Sequence, residues 1–241
     1  MLRLLHLDPE HLAERLRDAP VLAAPPSLAG SLLHGGGGFA CVAIAGFAPW
    51  ALAGDWLHHA VGEAGMYAAC AGVFIALSGP VLHLLVIGPG ALLRFSLLFA
   101  ITYAVYAALW IAAWMKLHGN LGSIVGLSSG CLAMGWMLCW AFAARGALVR
   151  VVAALLAGNL IGYYGGGYAE ALIAGLSPPA PTAIALEKAN PTAWAMLAWG
   201  ACYGLGIGCG LGAALYWCQD AQRALSSRVA AERKRASAVS P

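Results

Sequence analysis

The run YGLGIGCGLGAALYWCQ, residues 203–219, places a glycine at every second position from Gly204 to Gly212. Its reading decides the fold. Gly208, Gly210 and Ala213 satisfy the dinucleotide-loop pattern G-x-G-x-x-G/A. That loop needs a strand before it, a helix after it and an acidic residue about 20 positions on. Here the flanks form one continuous apolar run, and no second strand is available to build a sheet. Read at helical spacing, the same residues give Gly200, Gly204, Gly208 and Gly212, a small residue at every fourth position. In lipid, helices gain little by hiding apolar surface from one another, so they associate where missing side chains let backbones approach. Gly206 and Gly210 add a second, adjacent stripe. The run is therefore expected to be a transmembrane helix with a glycine packing face.

Composition agrees. Of 241 residues, 61% are hydrophobic and 10% charged, against about 25% charged in a soluble domain; the mean hydropathy is +0.78. A bilayer crossing takes about 20 mostly apolar residues. Six stretches qualify, at 36–54, 66–88, 92–115, 121–143, 148–171 and 193–217. The expected fold is an all-α, polytopic transmembrane bundle of six spans. Residues 1–35 form a leader, 36–217 the bundle and 218–241 a basic tail.

Lysine and arginine set the orientation. With the N-terminus inside, the cytoplasmic segments hold Arg3, Arg15, Arg17, Arg94, Arg145, Arg150, Arg223, Arg228, Arg233, Lys234 and Arg235. The outer loops hold only Lys116 and Lys188. Eleven against two places both termini in the cytoplasm and favours an even number of spans. The expected location is a bacterial cytoplasmic (inner) membrane. Charges interrupt the first 20 residues throughout, so they do not read as a signal peptide. Asp8, Pro9 and Glu10 instead start a short helix whose Leu12 and Leu16 share a face, expected to lie on the membrane surface. The tail is expected to begin as a helix continuing from span six and to end in a polar, disordered stretch. In the outer loop, Pro178, Pro179 and Pro181 forbid a continuous helix, Ala183–Leu186 is expected to dip into the interface, and Asn190-Pro191 marks a turn. Trp110 and Trp114 of span three, and Trp194 and Trp199 of span six, are expected to anchor outer ends in the interface.

Few residues suggest chemistry. In span five, three consecutive glycines, Gly165–Gly167, sit among Tyr163, Tyr164 and Tyr168, with Asn159 before and Glu170 after. Glycine disfavours helix by about 1 kcal/mol each, and a glycine break beside an ionisable residue marks a candidate permeation or polar site. Asn159, Tyr164, Gly166 and Glu170 are its members. The other reading is a helix frayed near the outer interface, with the tyrosines in an aromatic belt and Glu170 at headgroup depth. Gly126-Leu127-Ser128-Ser129-Gly130 matches G-x-S-x-G, but no histidine follows His118, so a hydrolase triad is not expected. His34 with His83 would suit a haem iron, and His59 with Glu63 a weak metal site; packing and capping roles are expected instead. The seven cysteines form no C-x-x-C and read as small apolar packing residues. Pro80 is expected to kink span two and Pro89-Gly90 to turn into span three.

The leader and the stretch GPGALLRFSLLFAITYAVYAALW, residues 88–110, look like the Yip1-type multi-span membrane proteins over spans two to four. That resemblance implies a membrane-organising role and no chemistry. No catalytic residue, cofactor, metal or nucleic-acid contact is expected; the partners are the bilayer and other membrane proteins or a second copy. The expected function is an accessory, assembly or membrane-organising subunit. The alternative is a small-solute channel or transporter using Asn159, Gly165–Gly167 and Glu170.

Overall fold

The computed structural model describes residues 5–18, 24–175 and 191–239. Among these there are helices and turns and no strand. In chain order they are α1 (Pro9–Asp18), α2 (Leu28–Leu82), α3 (Ala91–Leu117), α4 (Gly119–Ala141), α5 (Leu148–Gly175), α6 (Pro191–Cys218) and α7 (Asp220–Val239), with short 3-10 turns at His83–Leu85 and Arg145–Ala147. Five helical segments, the ones built on α2 to α6, are long and apolar enough to cross a membrane. Large apolar side chains point outward from them, among them Leu33, Leu52, Val149 and Ile161, as a lipid surround requires. The expected interfacial dip at Ala183–Leu186, the prolines before it and Asn190 lie outside the described residues.

At 55 residues, α2 would be about 80 Å long if straight, against a hydrocarbon core of about 30 Å. It folds back on itself. Backbone dihedrals leave the helical range at Ala53 (φ −138°, ψ 20°) and Gly62 (φ 71°, ψ 176°). Beyond them, the Nε2 of His34 lies 2.8 Å from the Val81 carbonyl oxygen, whereas 47 residues of straight helix would hold them about 70 Å apart. A Cβ on Gly46 would meet the Phe74 ring. Thus α2 is a hairpin of two antiparallel arms, before Ala53 and after Gly62. Pro80 was the expected kink, yet the non-helical dihedrals fall at Ala53 and Gly62. Gly88 (φ 109°) and Gly90 (φ 70°) make the turn into α3, and His118 and Gly119, both at positive φ, make the turn into α4.

Glycine stripes set the closest contacts. Gly200, Gly204, Gly208 and Gly212 of α6 face the first arm of α2, where added Cβ atoms would run into Phe47, Ala43, Gly35 and Ser31. Gly206 and Gly210 face Gly158, Gly162 and Ala154 of α5. So α6 is clasped on two sides by its own chain. A third stripe, Gly122, Gly126 and Gly130 of α4, receives Ala113, Trp110 and Tyr106 of α3.

Both terminal helices lie at one end of the bundle. The Gln222 Nε2 of α7 donates to the Leu7 carbonyl at 3.1 Å and to the Phe142 carbonyl at 3.2 Å. Gln219 ties the same end to the turn before α3, accepting from Ile87 N and donating to Leu85 O. Arg233 donates to Leu16 O at 2.7 Å and Arg17 O at 3.1 Å. Two expectations are corrected here. Leu12 and Leu16 of α1 are buried within the protein, 1% and 2% exposed, so this face covers α7 and the Gly88 turn and is not free to enter a membrane surface. The tail begins as a helix, as expected, but the helix runs on through Val239 where a disordered end was expected, and α1 gives one side of it a surface to pack on.

Candidate functional site

The far end of the bundle, away from the termini, holds a cavity of about 230 Å³. Each wall is a helical stripe. The first arm of α2 supplies Phe47 and Trp50; the second supplies Tyr67, Cys70, Ala71 and Phe74, at i, i+3, i+4 and i+7. From α3 come Tyr103, Tyr106, Ala107, Trp110, Ile111 and Trp114, from α5 Tyr163 and Glu170, and from α6 Met196, Trp199 and Tyr203. Eleven of these seventeen side chains are aromatic, so ring faces and edges make up most of the wall.

The rings are locked to one another. Trp199 stacks on Tyr203 at 5.3 Å between centroids, and Phe47 meets Trp199 edge-on at 4.7 Å. Phe74 stacks on Tyr103 at 5.5 Å, and Tyr67 meets Trp110 edge-on at 5.8 Å. Such arrangements are favoured by the ring quadrupole.

At the cavity's inner end the Tyr106 and Tyr203 hydroxyls lie 3.0 Å apart. Behind them, Asn159 donates from Nδ2 to the Tyr106 hydroxyl at 2.7 Å and to Cys131 Sγ at 3.3 Å. Its Oδ1 is buried without a protein partner. Two further lining tyrosines bond to neighbours: Tyr163 pairs with Ser123 at 2.8 Å, and Tyr67 donates to Glu63 at 3.1 Å. Glu170 is half-buried in the wall. Among the described residues no cation lies within ion-pair distance of it.

The four residues singled out in span five separate here. Glu170 lines the cavity; Asn159 stands behind it, one hydroxyl away. Gly166 lies against Trp199, where a Cβ would come within 2.8 Å of the indole, so it seats a wall residue. Tyr164 is 43% exposed and lies outside the lining. The break expected at Gly165–Gly167 is absent: α5 is helical through Gly175, and a continuous neighbour, α6, supports it. Trp110, Trp114 and Trp199, expected as interfacial anchors, face the cavity instead, whereas Trp194 is 62% exposed.

The other candidates resolve into local roles. The Nε2 of His34 meets the Val81 carbonyl at 2.8 Å, and the Nδ1 of His83 lies 2.6 Å from the Pro80 carbonyl, so each ring has a local backbone partner. The break at Gly62 falls between His59 and Glu63, so they do not share one helical face, and among the described residues no group of three metal-ligating side chains is present. Ser129 sits inside α4 and donates back to the Val125 carbonyl at 2.8 Å, with no strand-to-helix elbow. Cys139 and Cys218 approach to 3.9 Å, Cys41 is exposed, and Cys70 lines the cavity.

No family model, curated protein or solved structure matches the chain.

Proposed function

We propose that the protein is a six-crossing membrane protein, with both termini in the cytoplasm, that binds a small solute in a cavity opening toward the opposite side. The observation that carries this reading is the aromatic cavity with Glu170 in its wall. An apolar pocket with a few convergent polar groups is where a ligand is expected. Two arms in α2 plus α3 to α6 give six crossings. The arginines at the end holding the termini, such as Arg15, Arg94, Arg145 and Arg150, support a cytoplasmic assignment for that end.

The organising-subunit reading draws on the glycine packing faces, the scarcity of buried charge and the short tails. The glycine faces of α6 lie against α2 and α5 of the same chain and so do not themselves speak for a partner. Solute binding fits a carrier or a receptor equally, and calls for no catalytic group.

Cys70, which lines the cavity, provides the test. A small membrane-impermeant methanethiosulfonate is added to intact cells, and the modified cysteines are mapped by mass spectrometry. Modification of Cys70 from outside, with Cys139 and Cys218 untouched, is the expected result. A Cys70 that reacts only after denaturation would overturn the reading.

A further inference from the structure

Resting on the solute-binding reading above, the composition of the cavity wall points to a ligand class. We infer that the cavity takes a small organic cation, an amine or a quaternary ammonium compound.

Three observations carry this. The first is what the wall offers. Four of the five lining tyrosine hydroxyls are hydrogen-bonded to one another or to neighbours: Tyr106 with Tyr203 and Asn159, Tyr163 with Ser123, Tyr67 with Glu63. What remains for a ligand is mostly ring surface, with the Trp110 indole N–H, buried without a protein partner, and the Glu170 carboxylate. A sugar or other polyol would find few partners in the wall for its several hydroxyls. A quaternary ammonium group needs no hydrogen bonds, and the negative faces of Trp and Tyr attract it.

The second is charge. Glu170 is the one ionisable acid in the lining, and no lysine or arginine accompanies it. An anion would meet a carboxylate with nothing to offset it. Around the same end of the bundle the described residues include Asp55, Glu63 and Glu170 against Lys116. The field at the approach is therefore negative and draws cations in.

The third is size. At about 230 Å³, the cavity falls below the roughly 300–1,000 Å³ typical of drug-sized ligands. It suits a compact headgroup and not a large apolar molecule.

The test uses the full chain in nanodiscs of phosphatidylglycerol, which carries no quaternary ammonium. Choline and its neutral carbon isostere, 3,3-dimethyl-1-butanol, are titrated by calorimetry and by tryptophan fluorescence. Choline is expected to bind at least tenfold tighter than the isostere. Glu170→Gln should weaken choline about tenfold and leave the isostere unchanged. Tyr164→Phe, on α5 but outside the lining, should stay within about twofold of wild type. Its thermal stability identifies any variant that fails to fold. Repeating the titration in phosphatidylcholine discs separates two sources of the same chemistry: loss of choline binding there means that the lipid headgroup occupies the site, and retention means a free solute; both uphold the class. Equal affinity for choline and the isostere would overturn the cation assignment and leave solute binding standing. No choline binding with Cys70 still reactive would do the same. No binding and an inert Cys70 would bring down both.

Discussion

Gly208 and Gly35 face each other so closely that a Cβ on either would overlap the carbonyl oxygen of the other. The contact is reciprocal and backbone to backbone, so no rotamer change can relieve a side chain placed there. Gly208→Ala should therefore separate α6 from the first arm of α2, and Gly208→Leu should prevent folding or assembly of the bundle. Overpacking costs typically about 1–3 kcal/mol, the range expected for the alanine variant by thermal unfolding in detergent. Gly37→Ala is the control: a Cβ there meets nothing within 4 Å. It should be neutral or gain up to about 1 kcal/mol, the helix preference of alanine over glycine. Equal behaviour of the two variants would mean that α6 is not packed this way.

The four-residue glycine spacing was legible in the run at 203–219 because helical periodicity survives in any environment. The cavity was less so, though its signal was present. Phe95, Phe99, Tyr103, Tyr106, Trp110 and Trp114 recur at steps of four, four, three, four and four, one stripe of a single helix. A stripe does not say which way it faces. In a membrane helix both lipid and core accept aromatics, so Trp110 and Trp114 read equally well as interfacial anchors. Only the position of the neighbouring helices turns them inward. Local breaker counts misled for a related reason. Gly165–Gly167 carry a real propensity cost, and packing along α6 overrides it. At Gly62 a single glycine makes a break that composition did not single out.

That break gives a prediction free of packing effects. Gly62 has φ 71° and ψ 176°, a region that essentially only glycine enters, costing other residues about 1–3 kcal/mol. A Cβ at Gly62 meets nothing within 4 Å. Gly62→Ala should lose that amount through backbone strain alone, visible as a lower midpoint of thermal unfolding. Gly72→Ala, also in open space but at helical dihedrals, should lose nothing. If Gly62→Ala is as stable as wild type, the hairpin does not turn at this residue.

The docking of α1 gives a pH dependence with a definite sign. Asp8 caps α1, accepting from the backbone N–H groups of Glu10 at 3.1 Å and His11 at 3.2 Å, and its carboxylate meets the His11 ring at 2.8 Å. Burial pushes the Asp8 carboxyl up, but the hydrogen bonds and charge of His11 outweigh it and hold the group below its ordinary value. A carboxyl whose pKa is lower folded than unfolded stabilises the fold fully above its unfolded value, about 3.9. That contribution disappears as the pH falls through the lower folded value. Hydrogen exchange in α1, corrected for the intrinsic rate, should show the cap's protection held from neutral pH down to about pH 4 and lost below it. Asp8→Ala removes the cap at every pH, at a cost of about 0.5–2 kcal/mol, and should raise exchange in α1 already at neutral pH. The variant should also lack the acid transition of the wild type, since the group that titrates is gone. A variant that keeps the same transition would assign it to a different residue.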